Sequence, residues 1–336
     1  MATYTTVADG NGDFAVSFPA SYTGGEKITV TSEKDSATKT IELYAPSEVI
    51  GGGAIQFSGT MDNFPLNIGN VILSNAISGV IQNNALIATQ QDNNIFYRAT
   101  GLIISGSVTE IKNYSFTDWR YASLLQLPST LQKIGEYAFQ NFGSSAPVFF
   151  DCVLPNSVTN LSNYCFSRAG FKNFDIGSGV LTIPDNSFEY TSKLETFNYR
   201  NVKTVNGSAF YSSAIKYNII PDTVTMIGGG AYQYAASLEV NTGNGITSIP
   251  AFAFAGNDKC TKFTIGLNVL SILSNGIAGL TSCNELICLP VNPPDLNSSG
   301  LSSLKSTCVI KVPVASLSAY QTAPNWSAHA AKMVGV

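Results

Sequence analysis

Eight ten-residue strings of this chain can be set beneath one another in phase: SVTEIKNYSF (107–116), TLQKIGEYAF (130–139), SVTNLSNYCF (157–166), GVLTIPDNSF (179–188), NVKTVNGSAF (201–210), TVTMIGGGAY (223–232), GITSIPAFAF (245–254) and NVLSILSNGI (268–277). Each carries an aliphatic residue, a second one three positions later, then a small residue and a closing apolar one. The closing residues are Phe116, Phe139, Phe166, Phe188, Phe210, Tyr232, Phe254 and Ile277, spaced 23, 27, 22, 22, 22, 22 and 23 apart. That period is too short for helical-pair or propeller-blade repeats, so each repeat reads as one coil of a solenoid. A coil cannot bury its apolar side alone, and stability must come from stacking on its neighbours. The closing aromatics are then the expected core, forming a single buried column through a continuous array from Val108 to Ile277.

Ahead of the blocks lie apolar pairs, often followed by proline: Leu124 and Leu127-Pro128, Leu154-Pro155, Phe174 and Ile176, Ile220-Pro221, Phe263 and Ile265. These read as the short strand of each coil. The small-aromatic pair is expected on a tight helical or 3₁₀ turn.

The period falls in the leucine-rich-repeat range of about 20–29 residues. The fuller pattern [IL]P-x-[ST]-V-x-x-I-x-x-x-[AC]-F is carried by LPSTLQKIGEYAF (127–139), LPNSVTNLSNYCF (154–166) and IPDTVTMIGGGAY (220–232). It resembles the surface-antigen, or BspA-like, class of leucine-rich repeats. The tail is similar too: LPVNPPDL (289–296), then CVIKVPVASLSAYQTAPNWSAHAAKMV (308–334), resembling a prolyl loop, a strand and a short Tyr/Trp helix that caps the array. The resemblance implies a β-rich, α+β, right-handed leucine-rich-repeat solenoid. Departures are Ile277 in place of the last aromatic, and an insertion around Gly143 to Val148 in the long repeat.

The expected organisation is a small β module over 1–46, a β-rich connector and N-terminal cap over 47–106, the solenoid over 107–287 and a C-terminal cap over 288–336. Residues 1–46 alternate in β fashion, with strands expected at Phe14–Phe18, Ile28–Thr31 and Thr40–Tyr44. The segment resembles the second half of bacterial and phage immunoglobulin-like repeats, yet a whole sandwich needs about seven strands. An unclosed sheet exposes edge N–H and C=O groups that recruit another strand. The expected partner of 1–46 is therefore a fibre or baseplate protein, or another copy of this chain. Residues 52–79 resemble segments of phage tail-fibre-associated proteins.

Only 12% of residues are charged while 44% are hydrophobic, and 19 Phe and 15 Tyr exclude a disordered chain. The polar surface is mostly hydroxyl and amide, as in many extracellular and fibre-like proteins. With a net charge of −4 and no basic block, nucleic-acid binding is excluded. Met1 to Ser21 lack Lys, Arg and an apolar run of signal length, so no signal peptide is expected there. No apolar run is long enough to insert in a membrane.

Candidate chemistry is sparse. Asp9-Gly10-Asn11-Gly12-Asp13 has the look of a calcium loop, but Phe14 and Ala20 stand where such a loop needs Gly and Glu, so it reads as a hairpin turn. The six cysteines form no CxxC pair and His329 stands alone, so no metal or cofactor is expected. Cys165 takes the small core position of its repeat, and most of the cysteines read as buried thiols. Cys283, Cys288 and Cys308 are the ones expected to pair in an oxidising compartment. Nucleophilic catalysis lacks a histidine base and a serine elbow. Glu189, Glu195 and Asp222 could meet across adjacent coils as a glycosidase pair, although solvated surface carboxylates are the simpler reading. Binding residues are expected among aromatics off the core column: Tyr190, Tyr199, Tyr211, Tyr217 and Tyr234, with Trp119, Arg120 and Tyr121 near the first coil. Tyr, Trp and Arg anchor protein interfaces, and flat rings stack on sugars.

The functional expectation is a non-catalytic adhesin binding a bacterial cell-surface receptor, protein or glycan, as part of a phage tail fibre in the virion. The alternative is a secreted BspA-like surface protein of a bacterium or protozoan that binds host proteins. A fibre-borne polysaccharide hydrolase comes third.

Overall fold

The computed structural model describes residue 7 and residues 27–34, 37–44, 55–57, 69–73, 78–88 and 95–336. The Asp9–Asp13 turn and the Phe14–Phe18 strand lie outside the described residues. The other two strands expected in the N-terminal module form an antiparallel pair, Lys27–Lys34 with Ala37–Tyr44. The chain divides into two compact units, 1–172 and 173–336.

Both units are built from parallel strands one coil apart. In the first, Asn70–Leu73, Gly101–Ile104 and Leu125–Gln126 form one ladder, with Ile55–Phe57 added antiparallel at its edge. A second ladder joins Ser78–Ile81, Ser107–Ile111, Lys133–Ile134 and Asn160–Leu161. In the second unit the strands Tyr217–Ile219, Glu239–Asn241, Lys262–Ile265, Glu285–Cys288, Val309–Val312 and Met333–Gly335 make a six-stranded parallel sheet. Two-residue strands such as Thr204–Val205 and Ser271–Ile272 form ladders of their own. The second aliphatic position of the sequence pattern is the last residue of each short strand, and the first lies two residues ahead of that strand. Val202 and Val205, or Val224 and Ile227, are both buried because their spacing returns the chain to the inner face.

The closing residue of each block sits on a turn of unusual regularity. The residues two before and two after it have φ between 52° and 77°, in every block from Phe116 to Ile277. A left-handed residue on either side makes alternate N–H groups point along the stacking direction. In the first unit the N–H of Phe116 donates to the Ala138 carbonyl at 2.8 Å and that of Phe139 to Cys165 at 2.8 Å. In the second, Phe188 donates to Ala209 (2.8 Å), Phe210 to Ala231 (2.7 Å), Tyr232 to Ala253 (2.8 Å) and Phe254 to Gly276 (2.8 Å). The acceptor is always the small residue just ahead of the next closing residue. That position is fully buried and must approach the preceding coil, which accounts for the alanine, cysteine or glycine. The helical or 3₁₀ turn expected here is not what forms: no helical segment occurs between Arg98 and Val314. Tight turns form instead, in which bonds between coils alternate with bonds inside the turn, such as Gln140 N–H to the Tyr137 carbonyl and Ser213 N–H to the Phe210 carbonyl, both at 3.1 Å.

The aromatics stack as expected within each unit. Phe116 lies on Phe139 and Phe139 on Phe166, with centroids 5.4 and 5.5 Å apart and planes within 13°. In the second unit Phe188, Phe210, Tyr232 and Phe254 follow at 5.3, 5.1 and 5.2 Å. These intervals track the roughly 4.8 Å separation of paired strands. Two further coils use leucine. Leu86 donates its N–H to Ser115 with left-handed Asn84 before it, and Ile277 donates to Gly300, just ahead of buried Leu301.

At the C-terminal end a short helix, Leu317–Thr322, and a 3₁₀ turn, Ser327–Lys332, precede the last strand, as the tail pattern implies. Tyr320 and Trp326 meet edge to face at 5.1 Å. Each ties down the prolyl loop, the Tyr320 hydroxyl donating to the Pro290 carbonyl and the Trp326 indole to that of Pro294, both at 2.8 Å.

All six cysteines are free and buried. Cys260 and Cys283 sit at matching places in successive coils, their thiols donating to the carbonyls of Lys262 and Glu285. Burial pushes the Cys260 thiol up to about 11. Cys283 and Cys308 share a hydrogen bond that raises the first thiol and lowers the second, and burial raises Cys288. Cys283, Cys288 and Cys308, the three expected to pair in an oxidising compartment, are free thiols in this structure.

Candidate functional site

Two of the residues expected to bind are core. Trp119 is fully buried, lying flat against Phe96 at 5.3 Å and Phe142 at 6.2 Å, with its indole donating to the Leu86 carbonyl at 2.6 Å. It stands three residues after Phe116, and that position faces inward. Tyr199 is only 4% exposed, and its hydroxyl meets Asn218 Oδ1 and the Tyr232 hydroxyl, both at 2.9 Å. Burial raises both phenols. These two are corrected from binding to structural residues, because a buried polar tip with a partner packs as well as a phenylalanine.

Arg120 pairs with Asp118 at 2.9 Å, and Tyr121 beside it is exposed. Tyr217 stands on the outer face of the six-stranded sheet, in a register row that continues through Glu239, Lys262, Glu285 and Val309. Lys262 pairs with Glu239 and Lys311 with Glu285, each at 2.7 Å. These pairs are solvated, so they add little to stability.

The remaining three tyrosines come together. Tyr190 and Tyr234 follow Phe188 and Tyr232 by two residues, at the second left-handed position, and Tyr211 lies between them. Ring centroids are 5.4 and 5.5 Å apart, both contacts edge to face. Tyr190 is 42% and Tyr234 53% exposed. The Tyr211 phenol is raised by desolvation and by its two neighbours, and it shares a hydrogen bond with Tyr190.

A second group was overlooked in the sequence. Tyr114, Tyr137 and Tyr164 occupy the first left-handed position of three consecutive coils. Their rings stack at 5.0 and 4.6 Å, 11° from parallel in both contacts. The signal was present, since all three tyrosines fall in one column of the aligned strings.

The carboxylates proposed for sugar hydrolysis are engaged separately. Glu189 accepts from Asn186 at 2.9 Å, Glu195 pairs with Lys216 at 2.7 Å, and Asp222 accepts from the Asn244 backbone at 2.7 Å. Among the described residues no group of three or more His, Cys, Asp or Glu could hold a metal ion. No helix among them is long and apolar enough to cross a membrane.

Parallel ladders, an inward aliphatic-aromatic pattern and a 22–23-residue coil together define a leucine-rich-repeat solenoid. The model of the BspA type leucine rich repeat region matches six copies over residues 89–216 and 203–316, and the chain belongs to that family. A leucine-rich repeat protein from Bacteroides ovatus shares the fold, with a TM-score of 0.53 and 15% identity over 72% of this chain. The match spans 65% of that structure's own length. A leucine rich cell surface protein from Faecalibacterium prausnitzii is 16% identical over 84% of this chain and 97% of its own, with a TM-score of 0.34. The pneumococcal vaccine antigen PcpA is 16% identical over 80% of this chain and 66% of its own, with a TM-score of 0.39. No curated protein matches in sequence. The tail-fibre resemblance of residues 52–79 gains nothing from the relatives named here.

Proposed function

We propose that this chain is a non-catalytic recognition protein of the cell surface, binding a protein partner through Tyr190, Tyr211 and Tyr234. The observation that carries the reading is the exposure of this cluster on a rigid turn ladder. Tyrosine offers large contact area at low entropic cost, and such residues dominate interface energetics. Family membership favours the BspA-like surface reading over the tail-fibre one. The full chain, immobilised and exposed to host surface proteins and to intact bacterial cells, separates these two: capture of the host proteins supports the surface reading, and capture of bacteria alone supports the fibre reading. Replacing Tyr190 and Tyr234 together with serine is expected to weaken the captured interaction at least about a hundredfold, the loss of two interface anchors. Thermal unfolding should stay where it was. Unchanged binding in that variant would remove the cluster from the site.

Residues 1–46 are the proposed attachment end, recruiting a strand from a surface or fibre protein or from a second copy. Deleting 1–46 is expected to abolish anchoring while the circular dichroism of the repeats persists. Normal anchoring of the shortened protein would refute it.

A further inference from the structure

We infer that the first unit carries a binding site for neutral oligosaccharides on the Tyr114, Tyr137 and Tyr164 ridge. The left-handed backbone at this position favours residues with little side-chain hindrance, and most coils comply, with Asn84, Asn186, Ser208, Gly230 and Asn275. Three consecutive tyrosines are an expensive choice there, and backbone cost of this kind concentrates where a protein binds something. Stacking offsets part of it, but a buried contact would serve that purpose better than rings at the surface. Tyr114 is exposed, and Tyr137 and Tyr164 are partly so.

A shallow groove of about 340 Å³ runs beside the ridge, lined by Asn113, Glu136, Ser162 and Asn163. Three of these residues immediately precede the three tyrosines. Asn113 Oδ1 accepts the Glu136 N–H at 2.9 Å, which holds the amide in place and leaves its NH₂ available. The side chains of Glu136, Ser162 and Asn163 have no hydrogen-bond partner among the described residues. The groove therefore offers one carboxylate acceptor, a hydroxyl and two amides beside flat rings. Hydroxyl groups of a sugar satisfy such a mixture, and its C–H face packs on tyrosine. With no cation and one carboxylate lining the groove, anionic ligands are disfavoured. The site lies in a different unit from Tyr190, Tyr211 and Tyr234, so it stands or falls separately from the protein-binding reading.

The test is an array of neutral hexose and N-acetylhexosamine oligosaccharides together with sialylated and uronic-acid ones, probed with the full chain. Binding to neutral oligosaccharides is expected. Tyr137→Asn, in which asparagine accepts the left-handed backbone, should weaken it about tenfold, the equivalent of one lost stacking contact. Asn163→Ala changes only an exposed amide and should weaken it similarly, providing a readout if Tyr137→Asn disturbs the coil. Tyr190→Ser should leave it unchanged. The proposal is overturned by no neutral binder, by a preference for anionic sugars, or by Asn163→Ala binding as tightly as the parent.

Discussion

Replacing Phe210 with alanine is expected to destabilise the second unit by about 3–5 kcal/mol, the usual cost of emptying a buried phenylalanine site. Phe210 is fully buried between Phe188 at 5.3 Å and Tyr232 at 5.1 Å, with Phe197 edge-on at 4.9 Å. Its N–H bond to Ala231 does not involve the side chain, so the ladder itself is untouched and the loss is one of packing. The coils above and below are locked by that ladder and cannot close over the space, which puts the variant toward the upper part of the range. At roughly 2–4 °C per kcal/mol for a unit of this size, the melting temperature should fall by about 10 °C. The matched control is Tyr190→Ala, on the surface two residues after the preceding closing residue, which should stay within about 0.5 kcal/mol. Denaturant unfolding followed by circular dichroism measures both. A cost for Phe210→Ala below about 1 kcal/mol would mean that the column is not where the unit keeps its stability.

Gly266→Ala is expected to be as damaging for the opposite reason, excess rather than missing volume. A Cβ at this position would stand 1.6 Å from the Gly243 carbonyl oxygen and 2.6 Å from its carbon. Both atoms are backbone, so no side-chain rotation relieves the clash. Nor is Gly243 free to withdraw. It holds φ at +66°, its N–H donates to Asn241 Oδ1 at 3.0 Å, and Gly266 is itself bonded through its N–H to Thr242 Oγ1 at 2.9 Å. The coils must part locally, at a cost of about 3 kcal/mol or more. Gly229 provides the contrast, because a Cβ there would come no nearer than 3.4 Å to the Ala251 carbonyl. Gly229→Ala should therefore change stability by less than about 1 kcal/mol. Equal melting temperatures for the two variants would show that the coils are more loosely stacked than their hydrogen bonds indicate.

The misplacement of Trp119 has a specific origin. The position three residues after the closing residue is buried in every coil, but it holds Trp119, Phe142 and Ala169 in the first unit and Thr191, Ser213, Ala235, Asn257 and Leu280 in the second. A column of such mixed chemistry leaves no periodic mark. Leu86 and Leu301 were missed because an aliphatic residue stands in for the aromatic and the spacing lengthens to 30 and 24 residues. The turn type was hidden for a related reason. Asparagine and glycine signal a left-handed residue, but Tyr114, Tyr137, Tyr164, Arg168 and Phe252 occupy the same backbone state without that signature.

What the sequence determined by itself was the coil, its length, its strand and its aromatic core. Those features recur because every coil meets the same physical demand, an apolar side that only its neighbours can cover. What only the tertiary structure decided was which tyrosines face solvent and which of them meet. Phe210, Tyr190 and Tyr199 are all aromatic and near in sequence, but one is a core stack, one a surface contact and one a buried hydrogen-bonding tip. Their roles depend on atoms brought in from the next coil, some 22 residues away. No local pattern carries that information.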